Sequence, residues 1–196
     1  LMNEFYFYSA NGISPNAYDL LINDINANDI TPLPYPKPIH LSASKTLQFD
    51  WHMFSEMIDQ NVHSTNNIGI GHSSGATAIL YHAILNPGFW DTIFIIEPAL
   101  FSKPINYMYK FVRLFQLEEF LHPMIRLTKK RRDRFTSKDN VFKRWRNYPT
   151  FAQFTDDALV NFIDSSLVQT DDGWTLRFPK QWEIEIYRSM CALDPV

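Results

Sequence analysis

The sequence predicts an α/β fold, a mostly parallel sheet with helices on both faces in three layers and a helical insertion. Three observations carry this. Short β-rich runs alternate with helical patterns through the first half of the chain. The segment Gly75 to Leu85 is apolar almost all round, as a helix must be to lie against the centre of a sheet. After Pro98 the pattern changes to amphipathic helical segments with no clear strand through about residue 166.

The expected strands are Glu4 to Ser9, with four consecutive aromatic residues, then Asp29 to Leu33, Asn67 to Ile70, and Thr92 to Glu97. Helical patterns fall near Asn16 to Ile25, Asp50 to Gln60 and Gly75 to Leu85, the last stopped by Asn86-Pro87-Gly88. Pro32, Pro34, Pro36 and Pro38 alternate through a stretch that suits neither a helix nor a central strand, so it is read as a rigid extended connector. Asp171-Asp172-Gly173 marks a turn between Val168 and Leu176, and Pro179 opens a final helix through about Met190.

Composition narrows the function classes. With 196 residues, 45% of them hydrophobic and 20% charged, the chain can bury a sizeable core and is not of the disordered class. The net charge of -3 gives no global attraction to nucleic acid, and a lone cysteine, Cys191, leaves no internal disulfide framework. Leu1-Met2-Asn3-Glu4 lacks the features of a secretory signal, and no apolar run reaches the ~20 residues of a membrane span. The expected location is cytoplasmic.

One pentapeptide carries chemistry. The strand Asn67 to Ile70 runs directly into Gly71-His72-Ser73-Ser74-Gly75, which opens the apolar helix. A strand-to-helix turn of this pattern forces the middle serine into a strained backbone conformation and projects its hydroxyl from the sheet edge. Gly71 and Gly75 leave room where side chains would collide. Composition alone gives roughly 0.01 such pentapeptides by chance. The bland alternative is a tight turn in which the serine merely caps the helix. Acyl transfer also needs backbone donors for an oxyanion. The N–H of Ser74 is one, and the loop Ser9-Ala10-Asn11-Gly12-Ile13 supplies the second through Ile13, with Gly12 letting the backbone approach. That loop also reads as an ordinary Asn-Gly turn.

These residues resemble the α/β-hydrolase superfamily, over nearly the whole chain. Ala10-Asn11-Gly12-Ile13 looks like the oxyanion loop in which many members carry His-Gly, with Asn11 at the histidine position, and His72 holds the elbow's second position, where the resemblance implies a shaping role. Asp50-Trp51 at a helix start, Glu97-Pro98-Ala99-Leu100 after the fourth strand, Arg131 to Phe135, Phe151 to Phe154 and Glu185 to Ser189 are similar to further family segments. The resemblance implies a three-layer α/β-hydrolase-type core with its nucleophile elbow over residues 1–100, a helical cap over 101–180 and a return helix over 181–196. It implies a serine hydrolase, esterase-like or cleaving a related acyl or carbon-carbon bond, acting on a small apolar ester.

The family places an acid and then a histidine after the elbow. Here no histidine follows His122, which falls in the cap, and the chain ends at Val196 where the next core strand is expected. The C-terminal strands carrying acid and histidine are thus expected to be missing. The open alternatives are a truncated, impaired hydrolase, which is favoured, or a natural short form that binds a small ligand without catalysis. Glu97 would be an acid with no histidine to orient, and His40, His52, His63 and His82 read as structural.

The run Lys129-Lys130-Arg131-Arg132-Asp133-Arg134, continued by Lys138, Lys143, Arg144 and Arg146, reads as a solvated surface rather than a nucleic-acid or membrane patch. Trp145, Trp174 and Trp182 either line a cavity or pack the cap, and Met53, Met57, Met108 and Met124 read as gap fillers. There is no Gly-rich phosphate loop and no Cys or His cluster at metal spacing, so neither a cofactor nor a metal is implied.

Overall fold

A computed structural model describes residues 3–24, 30–36, 39–40, 47–48, 50–115 and 117–190. Leu1, Met2, Ile25, Asp29, Pro38, Cys191 and Val196, named above, lie outside the described residues. The elements in the core are β1 (Glu4–Tyr8), α1 (Asp19–Asp24), β2 (Ile30–Pro32), a two-residue antiparallel pair β3 (Ile39–His40) and β4 (Leu47–Gln48), α2 (Trp51–Asn61), β5 (Asn67–His72), α3 (Ser74–Leu85) and β6 (Thr92–Ile96). Strands β2, β1, β5 and β6 form one sheet in that order, all parallel.

Alternation in β1 sorts its aromatic rings between two layers. Tyr6 and Tyr8 join the core with Phe54 and Ile58 of α2 and Ala78 and Ile79 of α3. Phe7 points the other way and packs edge-on against Tyr18, ring centroids 4.7 Å apart, in the short 3-10 turn Pro15–Tyr18 before α1. Helix α2 starts where an N-cap is available: the Asp50 side chain accepts from the His52 N–H at 3.1 Å. Pro32 sits in β2, the outer strand beyond β1, where its missing N–H breaks no central ladder. The next residue, Leu33, still donates its N–H to the Phe7 carbonyl at 2.8 Å.

Helix α3 departs from the expectation of complete burial. Ala76, Ala78 and Ile79 are sealed, but Ile84 and Leu85 are 50% and 45% exposed. The neighbouring strand β6 is likewise half open, with Phe94 and Ile96 exposed. An all-round apolar helix needs cover on every side, and among the described residues its far end is covered only on the side of His82.

From Lys103 onward the chain forms α4 (Lys103–Leu114), α5 (Glu118–Leu121), α6 (Pro123–Lys130), β7 (Arg134–Phe135), α7 (Lys138–Trp145), α8 (Asp156–Ser166), β8 (Leu167–Thr170), β9 (Gly173–Leu176) and α9 (Lys180–Met190). The expectation of no strand before residue 166 is corrected by β7. It pairs antiparallel with β9, which also pairs with β8 across the Asp171-Asp172 turn. A two-residue strand leaves no period to detect; its partner about forty positions away makes it a strand. This sheet, α7 and α8 enclose a second apolar cluster around Val141, Leu159 and Ile163. Helix α9 returns to the first core, where Ile186 packs and the Ser189 carbonyl accepts from the Trp51 indole N–H at 3.1 Å. No helix among the described residues is long and apolar enough to cross a membrane.

Candidate active site

The pentapeptide forms the turn that its residues dictate. Strand β5 continues through His72, two residues further than expected, and Ser73 joins it directly to α3. Ser73 has φ 55° and ψ -117°, a conformation that L residues occupy only under constraint. The constraint is visible: its N–H donates to the Ile96 carbonyl at 2.9 Å, and its carbonyl accepts from the Thr77 N–H at 3.1 Å. The Ser73 side chain makes no capping bond to α3, so the helix-capping alternative is not what the structure shows. Gly71 and Gly75 are required. A Cβ on Gly71 would fall 2.5 Å from the Ala76 Cα, and one on Gly75 would strike the carbonyl oxygens of Tyr8 and Ser9. Ser74, fully buried, takes the first helical position, where its N–H has no partner in a preceding turn.

Two tyrosines bind the turn to the loop after β1. The Tyr35 hydroxyl donates to the Ser9 carbonyl and lies 2.8 Å from Ser74 Oγ. The Tyr18 oxygen accepts from the Ala10 N–H at 3.4 Å and meets His72 Nδ1 at 2.7 Å. A hydroxyl oxygen has two acceptor lone pairs, so this contact suits either neutral tautomer of His72. Burial lowers the His72 pKa, partly opposed by the charge of Glu97, and burial pushes Tyr18 up to about 12. Both shifts favour the neutral form of the group. Neither tyrosine was singled out in the sequence; the only signal for Tyr35 was its place between Pro34 and Pro36. Tyr35→Phe is expected to cost about 1 kcal/mol by leaving the Ser9 carbonyl without this donor, read as a lower urea midpoint with an unchanged slope.

The loop differs from the sequence reading in one respect. Gly12 is left-handed, φ 71°, as a tight turn demands, but the Ile13 N–H donates to the Ala10 carbonyl at 3.1 Å and closes that turn. The Ile13 amide is therefore engaged within the loop's own turn. The close approach that Gly12 permits is to Glu183 of α9, whose Cγ would lie 2.7 Å from an added Cβ. Asn11 is buried, with Nδ2 donating to the Glu183 carbonyl at 3.0 Å. Glu183 pairs with Arg131; burial raises its pKa and the guanidinium pulls it back down.

Three further histidines are engaged away from the turn. His82 is fully buried between Asp59, 3.0 Å from Nε2, and the Trp90 indole N–H, which donates to Nδ1. His122 caps α6, its Nδ1 accepting from the Met124 N–H, and His52 meets Tyr81. Among the described residues no histidine hydrogen-bonds to Ser73. Glu97, at the end of β6, is exposed and left-handed at φ 46°.

The basic run is neutralised in part: Lys129 pairs with Glu119, Arg131 with Glu183, Lys138 with Asp164 and Arg146 with Asp156. A cavity of about 580 Å³ opens between this region and the loop, lined by Asn11, Gly12 and Ile13 on one side and by Trp145 and its aromatic neighbours on the other. Ser73 is not among its lining residues. Of the three tryptophans, Trp145 lines the cavity, while Trp174 packs the second cluster under Lys138 and Trp182 lies tilted against Phe178. Met108 and Met124 are exposed, not gap fillers.

No family model and no curated protein matches the chain. Solved structures do. E-2-(acetamidomethylene)succinate hydrolase superposes at TM-score 0.65 and 12% identity, covering 96% of this chain and 65% of its own. The thioesterase domain from the curacin biosynthetic pathway gives 0.60 and 13%, covering 95% and 66%. A peroxisomal α/β-hydrolase from Saccharomyces cerevisiae gives 0.61 and 17%, covering 96% and 56%. The chain thus spans less than two thirds of the length of these structures. In its parallel sheet, and in the strand-turn-helix that holds Ser73, the chain has the α/β-hydrolase fold.

Proposed function

We propose that this chain carries the nucleophile of a serine hydrolase acting on an ester or a related acyl or carbon-carbon bond. The observation that carries the reading is the backbone of Ser73, strained at the carboxyl end of β5 with no capping bond to justify it. Strain of this kind persists only where surroundings impose it, and it is characteristic of sites where a side chain must be presented. Ser73 Oγ attacks, and the Ser74 N–H, at the positive end of α3, stabilises the oxyanion. Use of the Ile13 N–H as second donor requires sharing or breaking its bond to Ala10. Asn11, Gly12, Gly71, His72 and Gly75 shape the site.

A serine hydroxyl is a weak nucleophile without a neighbouring base. No described histidine supplies one, so the reading requires a base from outside the described residues. That same observation supports the second reading, a hydrolase-fold protein that binds a small ligand without catalysis. One experiment separates them. Protein expressed from the complete gene is treated with a fluorophosphonate probe. Labelling that disappears in Ser73→Ala is the expected result; no labelling of the parent, or labelling that survives the substitution, rejects the nucleophile.

A further inference from the structure

The cavity has an asymmetric lining. Its walls are aromatic, with Phe135, Trp145, Phe151, Phe162 and Phe178, and Trp145 lies stacked on Phe151 at 5.5 Å. Its rim carries Lys130, Arg132 and Arg144, all exposed and, among the described residues, without a carboxylate partner. This sets them apart from Lys129, Arg131, Lys138 and Arg146 nearby, each of which has one.

The two rim arginines are held in the same way. Arg132 donates from Nε to the Arg134 carbonyl at 2.8 Å, and Arg144 donates from Nε to the Tyr148 hydroxyl at 2.7 Å. Each guanidinium is thus anchored through its inner nitrogen, and its two terminal amino groups remain for a planar anion, the geometry that suits a carboxylate. Of the run's cations without a carboxylate partner among the described residues, these three converge on the mouth of an aromatic cavity, whereas Arg134 and Lys143 do not line it.

We propose that this cavity binds an amphipathic anion, an apolar chain or ring system that ends in one carboxylate, with the anion at Arg132 and Arg144 and the apolar body against Trp145, Phe151 and Phe162. A volume of about 580 Å³ falls within the range of small-molecule sites. The inference does not rest on the serine reading, because Ser73 is absent from the lining, and it replaces the expected neutral ester by a ligand that bears charge.

The test uses Ser73→Ala protein, so that turnover plays no part, and compares decanoate with decanol by calorimetry. Decanoate is expected to bind at least about ten-fold more tightly. The double variant Arg132→Gln/Arg144→Gln is expected to remove that preference and leave decanol binding unchanged, and Leu127→Glu, at an exposed position of the lining, to weaken decanoate selectively. Equal affinity for the two probes, or decanoate binding unaffected by the double variant, overturns the proposal. The second outcome would place the ligand on exposed apolar surface elsewhere, such as Phe94 and Ile96.

Discussion

Ser73→Gly is expected to lower turnover by the complete protein about 10⁶-fold while raising its unfolding free energy by about 1 kcal/mol. The two effects have one cause. At φ 55° and ψ -117° a serine occupies backbone space that only glycine visits freely, at a cost of about 1–3 kcal/mol. Glycine removes that cost but gives back roughly 0.5–1 kcal/mol through its more flexible unfolded state. Ser73→Ala keeps the Cβ and the strain, so it loses the hydroxyl without the gain. The measurement is a urea denaturation of both variants beside the parent. The expected order of stability is Gly above Ala; the reverse order would mean that the conformation at residue 73 is not imposed by its surroundings, and the argument for a presented nucleophile would lose its main support.

The sequence made the elbow legible because its constraints are local. Gly71 and Gly75 are each within two residues of Ser73, and the strand and helix that flank them announce themselves by β-propensity and an apolar surface. The four parallel strands were legible for the same reason. What escaped depends on contacts far apart in the chain. Tyr18 and Tyr35 reach the turn from 54 and 39 residues away, and Glu183 faces Gly12 across the whole chain. The bond of Ile13 to Ala10 was not legible for a different reason: an Asn-Gly turn is compatible with an outward amide or with one closed onto Ala10, and the local residue pattern does not choose between them. The cavity was least legible of all, since its rim and walls come from α6, α7, α8 and α9 together.

Gly75→Ala presents a direct contest between helix propensity and packing. Position 75 is the second residue of α3, and in an open helix alanine would be favoured over glycine by about 1 kcal/mol. Here the new Cβ would lie 2.5 Å from the Ser9 carbonyl oxygen and closer still to that of Tyr8, far inside contact distance. Neither oxygen can yield as a flexible side chain would. Tyr8 belongs to β1, which is clamped between β2 and β5 and is in register with Gly71, while the Ser9 carbonyl is held by Tyr35. The helix must therefore retreat, which opens the interface that seals Ala76, Ala78 and Ile79. Overpacking of this kind costs about 3 kcal/mol, so the steric effect outweighs the propensity and the variant should lose at least about 2 kcal/mol of stability. Gly88→Ala is the matched control: nothing lies within 4 Å of its Cβ, and only its φ of 84° resists the change, for about 1 kcal/mol. Urea unfolding followed by tryptophan fluorescence reads both. If Gly75→Ala proved as stable as the parent, α3 would not sit against the end of β1 as described, and the position of Ser73 above the sheet would have to be abandoned with it.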